Sequence, residues 1–280
     1  MTENYLLPVD DGLPMRTSQE YAKYKLDALS HYIHQTNVAM RDKWLNRFYL
    51  DLQAGPGKNK IGQEVWLGSP LLALTAPFPA TRFFFNEYDP AHPEVFEALK
   101  TRVQSSPFHP HITLLQKDVN NAALDIVNLI PNNGKNSLNL AFLDPEGLEM
   151  DWRTVETLAK IARMDMIINF STSGIIRSIG KGYEDVVTRF FGTDEWKSIY
   201  QQADKSNKSR VLIDFYRQQL EKFGYNIQIN PNLGGHDISI RNSRNAEVYS
   251  LIFASKHPLG DKFWKQAKKS ALPPKLPGFE

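Results

Sequence analysis

Between residues 48 and 170, apolar segments of strand length alternate with helical patterns. The predicted strands are 48–52, 82–87, 111–116, 138–143 and 166–170. The helical patterns between them occupy 89–104, 121–130 and 151–163. Gly68-Ser69-Pro70 predicts the start of a further helix, which Ser69 can cap and in which Pro70 takes the first position. Strands that alternate with helices over short connections favour a parallel sheet covered by helices on both faces. The pattern therefore predicts an α/β, Rossmann-like fold.

The N-terminal region lacks this alternation. Residues 1–18 contain prolines and a glycine that break regular elements, so we expect a flexible arm there. Helical spacing over 20–43 predicts one or two N-terminal helices. We expect a single domain over 19–280.

The alternation also stops after the fifth strand. Residues 171–223 carry only helical patterns, including 183–191, 195–202 and 211–223, and are interpreted as a helical insertion. The expected closing elements are strands over 225–229, 237–240 and 248–255 and a basic helix over 258–270.

Composition limits the function classes. The chain has 280 residues and no cysteine, which excludes disulfides and thiolate metal sites. The histidines show no ligand spacing, so we expect no metal. No apolar stretch approaches the ~20 residues that span a bilayer, so we expect a cytoplasmic protein without a membrane segment. The net charge of +2 is too small to indicate nucleic-acid binding by itself.

The first strand of the series ends in a turn of small residues. Asp51 closes the strand, and Ala54, Gly55 and Gly57 form a turn whose backbone can approach a ligand closely. Open α/β sheets bind ligands at this edge, beyond the carboxyl ends of the strands. The segment lacks both the phosphate-binding Gly-x4-Gly-Lys-Ser/Thr pattern and the full Gly-x-Gly-x-x-Gly of dinucleotide-binding folds. A nicotinamide oxidoreductase is therefore a disfavoured hypothesis.

Three further acids stand at the ends of later strands. Glu87 is placed to accept from both hydroxyl groups of a ribose, and Asp118 to accept from an adenine amino group. Asp144 lies where a methyl group to be transferred would point. The long spacing from Asp51 to Glu87 predicts an inserted loop over 58–68. Together with the turn, these acids predict S-adenosylmethionine as the cofactor.

The motifs resemble those of a known family, the three-Cys-motif partner proteins. The matching segments are YLDLQAGPG at 49–57, GSPLLAL at 68–74, DPEGL at 144–148, Phe191 with Gly192, Trp196, and LIFASKHPLG at 251–260. The similarity covers roughly residues 20–265. It implies a class I methyltransferase fold with a mostly parallel seven-stranded sheet, S-adenosylmethionine binding, and a partner that carries the three cysteines.

The glycine-rich turn followed by Gly68-Ser69-Pro70 is also similar to bacterial 23S ribosomal RNA adenine-N6 methyltransferases that have a helical insertion. In those enzymes a Lys-His pair on the helix before the first strand lies near the cofactor. Tyr24 and Lys25 occupy the matching place here. The resemblance implies that Lys25 and Ser69 contact the methionine carboxylate of the cofactor.

Asp144 and Pro145 begin the motif on which the expected chemistry depends. Enzymes that methylate amino groups commonly present Asp-Pro-Pro-aromatic, in which the acid and a backbone carbonyl hold the amine and the ring stacks on a flipped base. Here the motif continues with Glu146 and Gly147, so the acid is kept and the ring is absent. Three alternatives follow: Trp152 replaces the ring, the substrate is not a flipped base, or transfer has been lost.

The substrate side is predicted from the rim of the sheet. Asn169 ends the fifth strand, and Arg177 lies on the same rim, where it is a candidate contact for an anionic substrate. The helical insertion is moderately basic and aromatic, a pattern compatible with nucleic-acid contact. We expect methyl transfer to an amino group of a nucleic-acid or related substrate, RNA rather than DNA. The alternative is a non-catalytic subunit that works through a three-Cys-motif protein.

Overall fold

A computed structural model describes residues 4–226, 237–241 and 247–271. Its strands are β1 Arg16–Ser18, β2 Arg47–Asp51, β3 Lys58–Ile61, β4 Glu64–Leu67, β5 Arg82–Asn86, β6 Ile112–Leu115, β7 Leu138–Leu143, β8 Met164–Phe170, β9 Ile238–Arg241 and β10 Glu247–Ala254. Its α-helices are α1 Ala22–Met40, α2 Ser69–Thr75, α3 Pro93–Gln104, α4 Val119–Leu129, α5 Trp152–Ala159, α6 Thr172–Gly180, α7 Glu184–Phe191, α8 Glu195–Gln202, α9 Lys208–Glu221 and α10 Pro258–Ala271.

The main sheet has seven strands in the order β6-β5-β2-β7-β8-β10-β9. The first five are parallel to their neighbours, whereas β10 runs antiparallel to both β8 and β9. Tyr49 of β2 lies opposite Phe83 of β5 on one side and Leu140 of β7 on the other. The predicted mixed α/β fold with a mostly parallel sheet is confirmed. The chain runs from β2 to β5 and β6 on one side and then returns to β7 on the other side of β2. The strand order therefore reverses beside β2, and open α/β sheets bind ligands in the crevice at such a point.

Side chains of β2 alternate between two apolar layers. Phe48 and Leu50 pack with α4, α5 and helices of the insertion, whereas Tyr49 packs with α1, α2, α3 and α10. Both faces of the sheet are therefore covered. Because each central strand is buried on both faces, its sequence is a nearly continuous apolar run, which made these strands recognisable.

Most of the other predicted elements have observed counterparts. The helical spacing over 20–43 forms the single helix α1, and the insertion contains α6 to α9, of which the pattern predicts the last three. The strand predicted over 225–229 falls largely outside the described residues. None of the described helices has the length and apolarity needed to cross a membrane.

The segment 58–68 is a β-hairpin instead of the expected loop. β3 pairs antiparallel with β4 and parallel with β1, which produces a second, three-stranded sheet. Gly62 lies in the turn between β3 and β4 with a φ of 60°, a conformation that glycine adopts without strain. The two strands have only four residues each, and β3 is largely polar, so neither stands out as a strand in the sequence.

Residues 4–18, expected to be a free arm, pack against the domain. The carboxylate of Asp11 lies 2.7 Å from Lys58 Nζ and 2.7 Å from Arg102 Nη2, and all three side chains are buried. Burial raises the pKa of Asp11, but hydrogen bonds from Arg102 and Lys58 outweigh it and lower that pKa to about 2. A buried cluster of three ions joins distant parts of the chain and leaves no periodic pattern in the sequence.

Candidate functional site

The parallel strands bring the four predicted acids to one edge of the sheet. Asp51 ends β2, and Glu87, Asp118 and Asp144 follow β5, β6 and β7 respectively. The charges of Asp144 and Glu87 both act on Asp51, and Glu87 and Asp118 line the same cavity. This edge is the candidate site.

The turn after β2 is held in place by backbone contacts. Gly55 has a φ of 62° and Gly57 a φ of 92°, both in the region that favours glycine. The Ala54 N–H donates to the carbonyl of Asn86 at 2.9 Å, which ties the turn to the end of β5. The Gly68 N–H donates to the Gly57 carbonyl at 2.7 Å, and a Cβ on Gly68 would lie 2.9 Å from that oxygen. Only glycine fits at position 68.

Ser69 is the first residue of α2 and does not cap the helix as expected. The N-cap is Gly68, and no side chain caps this helix, although Pro70 lies in the first turn as predicted. The Ser69 hydroxyl instead donates to Asp51. The close Gly57–Gly68 contact takes the N-cap position, so the serine side chain points to the end of β2.

The Asp51 carboxyl group is fully buried beneath the turn. Burial raises its pKa to about 7; the hydrogen bond from Ser69 lowers it, and the charge of Asp144 raises it. The Tyr49 hydroxyl lies 3.5 Å from Oδ2, and the Gln53 N–H lies 3.4 Å from Oδ1. Asp51 therefore changes its charge near neutral pH.

Glu87 is buried beside the glycine turn. The Gly55 N–H donates to its Oε2 at 2.6 Å. Burial raises the pKa of Glu87, and the nearby Arg16 charge and the Gly55 hydrogen bond lower it. The neighbouring Asn86 side chain donates to the carbonyls of Leu52 and Lys117 at 2.9 Å each, which joins the ends of β2, β5 and β6.

Asp118 is exposed and serves as the N-cap of α4. Its side chain accepts from the Asn120 N–H at 3.0 Å. The same residue also lines the larger cavity described below, so capping and ligand contact are compatible there.

Asp144 is held by side chains from two elements. Lys25 of α1 places its Nζ 2.5 Å from Oδ2, and the Asn169 Nδ2 of β8 donates to Oδ1 at 2.8 Å. The Oδ1 of Asn169 is buried and has no hydrogen-bond partner among the described residues. Pro145 is buried directly after the acid. An amine that enters here would find an unused acceptor on Asn169.

The residues after Pro145 form a turn closed by Glu149. The backbone N–H groups of Glu146 and Gly147 donate to the Glu149 carboxylate at 2.8 and 2.9 Å. The Gln53 side chain donates to the same carboxylate at 2.5 Å. This turn therefore lies against the turn after β2.

Two cavities lie at this edge. The larger has a volume of about 430 Å³, and its lining includes Glu87, Tyr88, Asp118 and Glu149. The smaller has a volume of about 40 Å³, and its lining includes Lys25, Gly55, Ser69 and Asp144. The Arg16 side chain lines both cavities.

Two predicted substrate residues lie away from these cavities. Trp152 is buried, and its ring meets the ring of Tyr216 edge-on with centroids 4.9 Å apart. It is a core residue between α5 and α9 and does not replace the missing aromatic of the motif. Arg177 is exposed on α6, where its Nε donates to the Ser173 carbonyl at 3.3 Å. Asn169, in contrast, is in direct contact with Asp144.

The aromatic residues of the insertion are also core residues. Phe190, Phe191 and Trp196 are almost fully buried, and Tyr200 lies half-buried under Lys208. Sequence could not distinguish rings packed inside a helical insertion from rings displayed for stacking, because both occupy one face of a helix.

Several residues of the site are not among those predicted from the sequence. Arg16 and Glu149 are charged residues in segments without a motif, and Asn86 and Gln53 are neutral amides next to the acids. Position beside a strand end was the available signal for Asn86 and Gln53. Within the described residues, no group of three or more His, Cys, Asp or Glu side chains is arranged to hold a metal ion.

Comparisons with known proteins show distant similarity to solved structures. No protein-family model and no curated protein matches the chain. A crystal structure of a protein from Legionella pneumophila str. Philadelphia 1, of family DUF519, is similar at 11% sequence identity with a TM-score of 0.49. That similarity covers 88% of this chain and 92% of the other.

Proposed function

We propose that the chain binds S-adenosylmethionine at the carboxyl edge of the sheet and transfers its methyl group to an amino group. The observation that carries this proposal is the buried Glu87 carboxylate, which touches the Gly55 turn and faces a cavity of about 430 Å³. A carboxylate at this position can accept from two ribose hydroxyls. The volume falls within the range typical of small-molecule sites.

The strand order supports a methyltransferase type of Rossmann-like fold. Dinucleotide-binding folds have the all-parallel order 3-2-1-4-5-6. Here β10, the last of the described strands, runs antiparallel to its neighbours and lies between β8 and β9, an arrangement typical of class I methyltransferases.

The side chains at the edge also suit the charge of the cofactor. S-adenosylmethionine carries a sulfonium and an ammonium group, and the buried Glu87 and the half-buried Asp144 provide carboxylates at this edge. The smaller cavity is lined by cationic side chains that suit the methionine carboxylate, among them Lys25. The larger cavity suits the adenosine part, with Asp118 at its wall.

The bound cofactor would supply an activated methyl group, so the protein has to orient the amine and exclude water. Asp144 Oδ2 would accept a hydrogen bond from the amine once Lys25 moves aside. The unused Oδ1 of Asn169 is a further acceptor. By analogy with the usual motif, the backbone carbonyl of Pro145 would be another. Acceptors of this kind stabilise the positive charge that develops on nitrogen during transfer.

Nucleic acid, RNA before DNA, is the proposed substrate class. Its support is the similarity of the turn and the Gly68-Ser69-Pro70 segment to ribosomal RNA methyltransferases. Since Gly147 replaces the stacking aromatic and Trp152 is buried, the structure offers no ring directly after Pro145 for a flipped base.

A radioactive methyl-transfer assay tests the activity. Labelled S-adenosylmethionine is incubated with RNA, DNA or candidate partner protein, with wild type, Asp144→Ala and Asn169→Ala. We expect transfer to RNA by wild type and a loss of at least about a hundredfold for Asp144→Ala. Equal transfer by wild type and Asp144→Ala would show that Asp144 has no part in the chemistry.

One observation favours a second candidate, a non-catalytic subunit of a three-Cys-motif protein. Both carboxylate oxygens of Asp144 are already engaged, one by Lys25 and one by Asn169. In this case the chain would bind the cofactor and the partner without transfer. Cofactor binding without transfer to any of the three substrate classes would favour this candidate.

A further inference from the structure

The Arg16 side chain lies at the candidate site and lines both cavities. Its Nη2 lies 2.8 Å from Oε1 of Glu146. A Cβ built on Gly55 would lie 3.4 Å from the Arg16 Cζ, so the guanidinium lies directly on the glycine turn. Its charge also acts on Glu87. Arg16 is therefore surrounded by the residues proposed to hold the cofactor.

The backbone that carries Arg16 is fixed. Arg16 lies opposite Asn59 in the β1–β3 pairing. Upstream, Asp11 is bound by the fully buried Lys58 and Arg102. Arg102 also donates to the Pro56 carbonyl at 2.6 Å, which joins this anchor to the glycine turn. Any movement of Arg16 thus belongs to its side chain.

The ion pair of Arg16 is more easily exchanged than that of Lys25. Glu146 is 69% exposed, and ion pairs with an exposed partner contribute little stability. Lys25 and Asp144, in contrast, are only 16% and 13% exposed and lie 2.5 Å apart. Lys58, a third cation on the smaller cavity, is held by Asp11. Of these three cations on the smaller cavity, Arg16 can therefore exchange its present partner for a new carboxylate at the least cost in free energy.

We propose that Arg16 binds the methionine carboxylate of the cofactor and that Glu146 holds its guanidinium until the cofactor enters. This inference rests on the proposed function and assigns to Arg16 the role that the resemblance gives to Lys25. A planar guanidinium can bind a carboxylate through two parallel hydrogen bonds, which Lys25 cannot do. Glu146 replaces the second proline of the usual motif, and its role would be to hold the Arg16 guanidinium before the cofactor binds.

Calorimetry with two nucleosides separates the methionine carboxylate from the adenosine part. S-adenosylhomocysteine contains the amino-acid carboxylate, whereas 5′-methylthioadenosine lacks it. We expect Arg16→Gln to weaken S-adenosylhomocysteine binding about tenfold or more and to leave 5′-methylthioadenosine within about twofold. Glu146→Gln, which removes the competing carboxylate, should tighten S-adenosylhomocysteine. Lys25→Gln is the matched control and should weaken S-adenosylhomocysteine less than Arg16→Gln does.

Each other outcome has a distinct meaning. If Arg16→Gln weakens both nucleosides equally, or neither, Arg16 does not bind the carboxylate. If Glu146→Gln weakens S-adenosylhomocysteine, Glu146 is not a competitor and the exchange is wrong. If wild type binds neither nucleoside, the proposed function fails and this inference fails with it. Thermal melting of Arg16→Gln, expected to equal wild type, excludes a folding defect.

Discussion

At the residue scale, the site depends on acids whose surroundings differ. Asp51 is fully buried, Glu87 is buried beside a backbone N–H, Asp118 is exposed, and Asp144 is half-buried between Lys25 and Asn169. Four residues of similar chemistry therefore have different roles. Asp51 supports the turn from below, Glu87 and Asp118 line the larger cavity, and Asp144 faces the amine in the proposed reaction.

The buried Asp51 should make stability depend on pH. Burial raises its pKa to about 7 from the ordinary value of 3.8. The folded protein thus holds a proton that the unfolded chain has released, so the free energy of unfolding falls as pH rises from about 4 through 7. Asp51→Asn cannot ionise and should avoid this loss. We expect its melting temperature to exceed that of wild type by about 3 °C or more at pH 8, and by less at pH 5.

Differential scanning calorimetry over this pH range checks the prediction. Asp118→Asn changes an exposed carboxylate and is the matched control, expected to keep the pH dependence of wild type. A difference between Asp51→Asn and wild type that stays constant from pH 5 to pH 8 would contradict the assignment of a buried, titrating Asp51.

The site residues at the strand ends are predictable from the sequence, because all strands of a parallel sheet point in the same direction. Asp51, Glu87, Asp118 and Asp144 each follow an apolar run, and parallel strands end at the same edge. Arg16 was not predictable, because it reaches the site from a different sheet. Ser69 does not cap α2 as expected, since the close approach of Gly57 and Gly68 appears only in three dimensions.

At the element scale, the N-terminal segment is part of the site. β1 pairs with β3, and the Asp11 carboxylate is enclosed by two cations. The sequence predicts a free arm there because proline and glycine interrupt regular structure, whereas the stabilising contacts are tertiary. The short hairpin β3/β4 is likewise not predicted, because its pairing with β1 is a tertiary contact.

Removal of the Asp11 charge should release this segment. Asp11→Asn leaves Lys58 and Arg102 buried without their carboxylate, which costs about 3 kcal/mol in the free energy of unfolding. Hydrogen exchange of the β1 and β3 amides should accelerate. The exposed neighbour Asp10 provides the control Asp10→Asn, expected to change neither quantity. Equal protection of β1 and β3 in both variants would show that the ion cluster does not anchor the segment.

The insertion makes a separate prediction through Gly192. This residue ends α7 with a φ of 70°, and a Cβ on it would lie 2.5 Å from Trp152 Cδ1. Gly192→Ala should therefore destabilise the protein by about 2 kcal/mol, through backbone strain and displacement of the tryptophan. Chemical denaturation gives the value. Gly180→Ala, where a Cβ has no neighbour within 4 Å, should be close to neutral. A neutral Gly192→Ala would mean that Trp152 is not packed there.

At the scale of the whole molecule, the fold creates one edge where these elements meet. The crevice lies beside β2, where the order β6-β5-β2-β7-β8-β10-β9 changes direction. α1 supplies Lys25, the second sheet supplies Arg16, and β8 supplies Asn169. The alternation of strands and helices was sufficient to predict the sheet and the edge at which the four acids meet. The contacts of the insertion and of the second sheet depend on packing between distant segments, which one sequence does not reveal.

Calorimetric titration of S-adenosylmethionine into wild type and Glu87→Ala tests the central claim most directly. Glu94→Ala, which removes an exposed carboxylate on α3, is the control. We predict one binding site in wild type and Glu94→Ala, and at least about tenfold weaker binding in Glu87→Ala because the ribose loses its acceptor. Binding of NAD by wild type with no binding of S-adenosylmethionine would contradict the account.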